Sequence, residues 1–175
     1  MAEAELSRPI RLDTLGETPR SFVVAAGESE REALARRFGL LALDSLSAEL
    51  SLIRDGELVT LTGRMVAQAT QACVASGAPV PAVIDEPLVL LFRAAPPASD
   101  PDEEIELGEA DLDVLFHDGA LIEVGEAVAQ SLALALDPYP RAPDAEAALR
   151  EAGVKSEAEA GPFAALATLK GKPKG

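Results

Sequence analysis

Residues 46–74 read LSAELSLIRDGELVTLTGRMVAQATQACV, and the opening alternates without a break: Leu46, Ala48, Leu50 and Leu52 against Ser47, Glu49 and Ser51. A period of two marks a strand with one buried face, because successive side chains on extended backbone point to opposite sides. Asp55-Gly56 follows at once, a dipeptide that supplies the positive backbone angles of a two-residue hairpin turn. Residues 57–74 then return as a long strand, or as a pair of strands broken near Gly63.

Further elements are expected on either side of this hairpin. Downstream, Gly77, Pro79 and Pro81 signal a turn, and residues 83–93 give another strand with Leu88, Leu90 and Phe92 on one face. Upstream, residues 9–12 and 21–25 read as short extended pieces interrupted by Gly16 and Pro19. Ser29 with Glu32 three residues later predicts a capped helix over residues 30–38, lined by Ala33, Leu34 and Phe38 and stopped by Gly39 in a left-handed conformation. Residues 94–106, with three prolines and five acidic groups, read as an exposed loop, and residues 105–116 carry apolar positions that suit a strand. Val124, Ala127, Val128, Leu132, Ala135 and Leu136 recur at helical spacing, which predicts a helix over residues 122–136 ended by Pro138. The fold class that follows is α+β: an antiparallel sheet with at least two helices over residues 1–141, a flexible linker over 142–161, and a short helical tail over 162–175.

Composition excludes several functions. With no Trp and one Tyr the chain has little to stack on bases, and a formal charge of −15 repels phosphate backbones and anionic lipids. The charge is uneven: residues 1–95 carry nine Arg against thirteen acidic residues, residues 96–160 three basic against seventeen acidic, and the last fifteen residues add three Lys. Basic proteins are the natural partners of such a surface. The first residues show no basic-then-apolar secretory pattern and no run reaches the ~18 apolar residues of a membrane span, so a cytoplasmic protein without membrane contact is expected. A single cysteine, Cys73, excludes an internal disulfide and zinc sites built on paired cysteines.

Three segments together resemble the YceD family of large ribosomal RNA subunit accumulation proteins, in the form common in alphaproteobacteria. The central one is residues 63–81, where Gln71-Ala72-Cys73-Val74 and Pro79-Val80 are similar to a family strand that ends in a Cys before a turn and a Pro-Val pair. The second is the acidic run into residues 122–136 with Asp137-Pro138-Tyr139-Pro140-Arg141 behind it, and the third is residues 162–170, PFAALATLK. Family members that carry further cysteines suggest metal binding, and this chain lacks those cysteines, so no metal or other cofactor is carried over. The resemblance implies a role in accumulation of large-subunit ribosomal RNA and in ribosome assembly.

Individual residues are read against that expectation. Cys73 ends a strand and has no basic neighbour within residues 72–77 to lower its pKa, which points to structural burial. His117, the only histidine, has no nucleophile pattern around it and is expected at a surface turn before Asp118-Gly119. No catalytic residue is assigned. Arg31, Arg36 and Arg37, joined across the sheet by Arg54 and Arg64, are the candidate RNA contacts, with ordinary surface solvation as the other reading. Tyr139 and Arg141 form a candidate docking strip, with Tyr139 packed on the core as the alternative, and Phe163, Leu166 and Leu169 at a spacing of three form a candidate docking peptide. The reading is a non-enzymatic assembly factor acting mainly through contacts with basic ribosomal proteins or other assembly factors. A direct module for large-subunit RNA, and a small hydrolase or thiol enzyme built on Cys73 or His117, are the alternatives.

Overall fold

The computed structural model describes residues 4–94, 114–117 and 119–154. The chain divides into two compact units, Met1–Gln71 with Pro81–Asp137, and Ala72–Val80 with Pro138–Gly175.

The hairpin organises the first unit. β3 (Ala42–Asp55) and β4 (Leu58–Ala72) pair antiparallel down to Asp55 opposite Leu58, with one irregularity between Leu43 and Ser45. Because Asp55 is still in the ladder, the turn residues are Gly56-Glu57 rather than Asp55-Gly56, and the left-handed angle falls on Gly56 alone, φ 60°. Of the two alternatives for residues 57–74, the single long strand holds and there is no break near Gly63. Gly63 lies opposite Leu50, and a Cβ there would sit 2.1 Å from the Glu49 carbonyl oxygen and 2.8 Å from Leu50 Cδ2. The missing side chain is therefore what lets the two strands pass at this point without interruption. Alternation holds as expected: Leu46, Ala48, Leu50 and Leu52 of β3 and Val59, Leu61, Met65, Ala67 and Ala69 of β4 are buried.

β2 (Arg20–Ala25) adds to β3, and β5 (Pro79–Ala94) lies beside β4, giving the order β2-β3-β4-β5-β6. The six residues between β4 and β5 are too few for a parallel crossover, so these neighbours run antiparallel. β6 (Val114–His117) corrects the expectation of a wholly antiparallel sheet, for it pairs parallel to β5, Leu91 opposite Val114 and Ala94 opposite His117. The nineteen residues between those strands are long enough to bring the chain back. A separate two-stranded sheet joins β1 (Pro9–Arg11) to β7 (Leu121–Glu123).

α1 (Glu28–Phe38) begins earlier than the sequence pattern indicates. Gly27, not Ser29, is the N-cap, and the Gly27 N–H donates to Glu30 Oε2 at 2.7 Å. Glu30 takes that role because Arg8 holds the same carboxylate in a bidentate pair, Nη1 to Oε1 at 2.7 Å and Nη2 to Oε2 at 3.0 Å. Gly39 closes the helix at φ 65°, as expected. α2 (Val124–Ala135) starts two residues late because Ile122 belongs to β7. Leu34 of α1 and Val124, Ala127, Val128, Ala129 and Leu132 of α2 join the buried face of the sheet in one core.

In the second unit, Cys73 N–H donates to the Ala78 carbonyl and Gly77 N–H to the Cys73 carbonyl, both at 2.8 Å, closing a tight loop. Val74 N–H donates to the Pro140 carbonyl at 2.9 Å. Cys73, Ala142 and Ala145 form a small core flanked by Ala75, Ala78 and Val80. α3 (Ala145–Glu151) lies within the stretch read from sequence as linker. Most of the acidic loop and the whole 162–175 tail lie outside the described residues.

Candidate interaction surface

The five candidate arginines are spread over three elements and mostly occupied. Arg37 donates to Glu5 Oε2 at 2.9 Å and to both Glu126 oxygens at 2.8 and 2.7 Å, while its guanidinium lies 5.3 Å from the Phe38 ring centroid. The Glu126 hydrogen bonds, then those of Glu5, raise its pKa above the ordinary arginine value. Two carboxylates flanking one guanidinium repel a phosphate rather than invite it. Arg64 Nε donates to Asp85 Oδ1 at 2.5 Å. Arg54 is spent on backbone, Nε to the Gly56 carbonyl and Nη1 to the Leu12 carbonyl, both at 2.9 Å, and Arg31 Nη1 donates to the Ala26 carbonyl at 2.9 Å. Only the exposed Arg36 side chain has no hydrogen bond or ion pair among the described residues.

Tyr139 is 75% exposed, which overturns its packing on the core. Arg141 Nη1 lies 3.6 Å from Glu146 Oε1, a loose exposed pair. Phe163, Leu166 and Leu169 lie outside the described residues.

Cys73 is buried, as its place at the end of an alternating strand indicates. Its thiol is nevertheless lowered to about 7, chiefly by the Ala142 backbone N–H, then by the Ser76 hydroxyl and the Ser76 and Ala75 backbone amides. A search of the sequence for a neighbouring cation misses these donors, since backbone amides leave no mark in composition. His117 is the last residue of β6 and half-buried rather than at an exposed turn. Gly119 N–H donates to His117 Nδ1 at 3.0 Å, and the buried Nε2 has no hydrogen-bond partner among the described residues. No nucleophile or carboxylate among the described residues hydrogen-bonds this ring. Among the described residues no group of three or more His, Cys, Asp and Glu is placed to hold a metal ion.

The alternation that buries one face of the hairpin exposes the other. α1 and α2 occupy the buried face of the five-stranded sheet, and no described residue covers the opposite face. On it, register aligns Val23, Glu49 and Arg64 in one row, Ser21, Ser51 and Thr62 in the next, and Ala25, Ser47 and Val66 in a third. Arg64 extends the first row to Asp85 on β5. Val23, Ile53, Val66, Val83 and Val89 lie exposed on this face, from 37% at Ile53 to 80% at Val83. A hollow of about 470 Å³ over Gly63 is bordered by Ser21, Val23, Glu49, Ser51 and Thr62. β-branched and hydroxyl side chains thus share this face with Glu49 and the Arg64–Asp85 pair.

Residues 61–170 match the family described as Large ribosomal RNA subunit accumulation protein YceD. The chain belongs to the YceD family. The match opens inside β4 and takes in β5, β6, β7, α2 and α3, so the YceD region includes the β4–β5 half of the open face and the Cys73 loop. The family's name places its members in the accumulation of large-subunit ribosomal RNA, and names no catalysed reaction. No curated protein and no solved structure is similar enough to the chain to match it. Among the described residues no helix is long and apolar enough to cross a membrane.

Proposed function

We propose that this YceD protein supports accumulation of large-subunit ribosomal RNA in the cytoplasm as a non-enzymatic assembly factor that works mainly through protein contacts. The open sheet face carries the reading: exposed valines at four positions and one isoleucine, set among serines and threonines, on a chain whose charge is −15. Exposed apolar side chains interspersed with hydroxyl groups suit contact with protein, and the net charge selects basic partners, such as ribosomal proteins. Arg31, Arg37, Arg54 and Arg64 are each engaged within the chain, which weighs against an RNA site built on them. Tyr139, Arg141 and the peptide with Phe163, Leu166 and Leu169 are proposed as further docking positions.

Absence of catalysis is tested by replacing both candidate reactive groups, Cys73→Ala with His117→Ala. The double variant, once shown to fold, is expected to restore large-subunit RNA levels in a strain that lacks the protein. A folded double variant that fails to restore them returns the thiol or hydrolase reading.

A further inference from the structure

The five-stranded sheet ends at β2 on one side and at β6 on the other. A strand edge is a row of unused backbone donors and acceptors, and soluble proteins guard it with proline, lysine, bulges or shortness. The β6 side is guarded. β6 has four residues and pairs only with Leu91–Ala94, and the part of β5 before that stretch carries Pro81 and Pro87 with Asp85 and Glu86. β2 has no such device. Its six residues, RSFVVA, hold no proline and no lysine, and they pair with β3 at six consecutive positions without a bulge.

The ladder fixes which groups are free. Ala26 N–H donates to the Leu46 carbonyl at 3.0 Å, so Phe22 and Val24 turn their backbone groups toward β3 while Ser21, Val23 and Ala25 turn theirs away. Arg8 Nη2 already donates to the Ala25 carbonyl at 3.0 Å. Ser21 and Val23 keep outward N–H and C=O groups that no other described residue engages.

We propose that this edge is the contact between two copies of the chain, paired antiparallel about Phe22. Ser21 of one copy then exchanges two backbone hydrogen bonds with Val23 of the second copy, the two-fold axis repeats the exchange, and the two sheets become one. Three observations select a second copy. The segment RSFVVA is itself an unguarded strand, so the same edge supplies what it lacks, as a closed two-fold contact requires. Arg20, whose guanidinium donates to the Thr14 hydroxyl and to no other described residue, is directed by antiparallel pairing toward the end of the second copy's strand and Glu28 in the first turn of its α1. Parallel pairing sets arginine beside arginine. The edge also lies in the less acidic part of the chain, residues 1–95, with nine Arg against thirteen acidic residues.

Sedimentation equilibrium of the full chain at two ionic strengths tests this. The dimer fraction is expected to rise with protein concentration and with salt, because salt screens repulsion between two copies of charge −15 and leaves backbone hydrogen bonds intact. Val23→Lys, at a position 67% exposed, is expected to weaken dimerisation about tenfold or more. Val23→Pro, which deletes the outward N–H without adding charge, is expected to act in the same direction. Val83→Lys, 80% exposed on β5, is expected to leave it unchanged. A chain that stays monomeric at every concentration overturns the proposal, as do Val23 variants that dimerise like the parent. Equal weakening by Val83→Lys also overturns it, by moving the contact from the edge to the open face.

Discussion

Cys73 shows how a residue's surroundings set its chemistry without any charged neighbour. Donors from Ala142, Ser76 and Ala75 lower the thiol to about 7 from an ordinary value of 9.0. A folded pKa below the unfolded one means that the thiolate's interactions contribute stability fully above pH ~9 and lose that contribution as pH falls through about 7. Thermal melts of the parent and Cys73→Ala are therefore expected to diverge in the parent's favour between pH 7 and 9, and the thiolate's ultraviolet absorbance to titrate near 7. A pH-independent difference between the two contradicts the donor arrangement. Burial of Cys73 was legible from strand alternation; its donors were not, because Ala142 is remote in sequence and contributes only backbone. The ion pairs of Arg37 were hidden for the same reason: its partners Glu5 and Glu126 stand 32 and 89 residues away, beyond the reach of any local pattern.

Among the elements, the β3–β4 hairpin was legible almost entirely, since alternation of Leu46 to Leu52 with small polar residues is a local property. Gly63 left a continuous strand and a broken one both open, because glycine in a strand signals either a break or a close approach, and only the position of Leu50 decides between them. A methyl group at residue 63 must displace Leu50 or the β3 backbone, so Gly63→Ala is expected to cost about 1–3 kcal/mol, or about 2–4 °C in Tm for each kcal/mol. Calorimetry checks it; an unchanged Tm means the strands do not approach as described. Parallel β6 was not legible, for its pairing with Leu91–Ala94 depends on how a nineteen-residue connection returns. The start of α1 was displaced by Arg8, a partner outside the helix that recruits Glu30 to the cap.

At the level of the whole molecule, charge and exposed apolar surface act together. A surface of −15 repels polyanions within the ~8 Å over which charge acts at physiological ionic strength, and the same field favours basic proteins. Membership of the YceD family sets the process, accumulation of large-subunit ribosomal RNA, and the open face is the proposed means by which an acidic chain takes part in it. The most direct measurement is sucrose-gradient sedimentation of cell extracts containing the parent, Val66→Asp with Val83→Asp on the open face, or Arg36→Glu at the one arginine of the candidate set without a side-chain bond among the described residues. The account predicts that the folded open-face double variant leaves the large-subunit precursor fractions while Arg36→Glu stays with them. Retention of the double variant together with loss of Arg36→Glu contradicts it and assigns the contact to RNA.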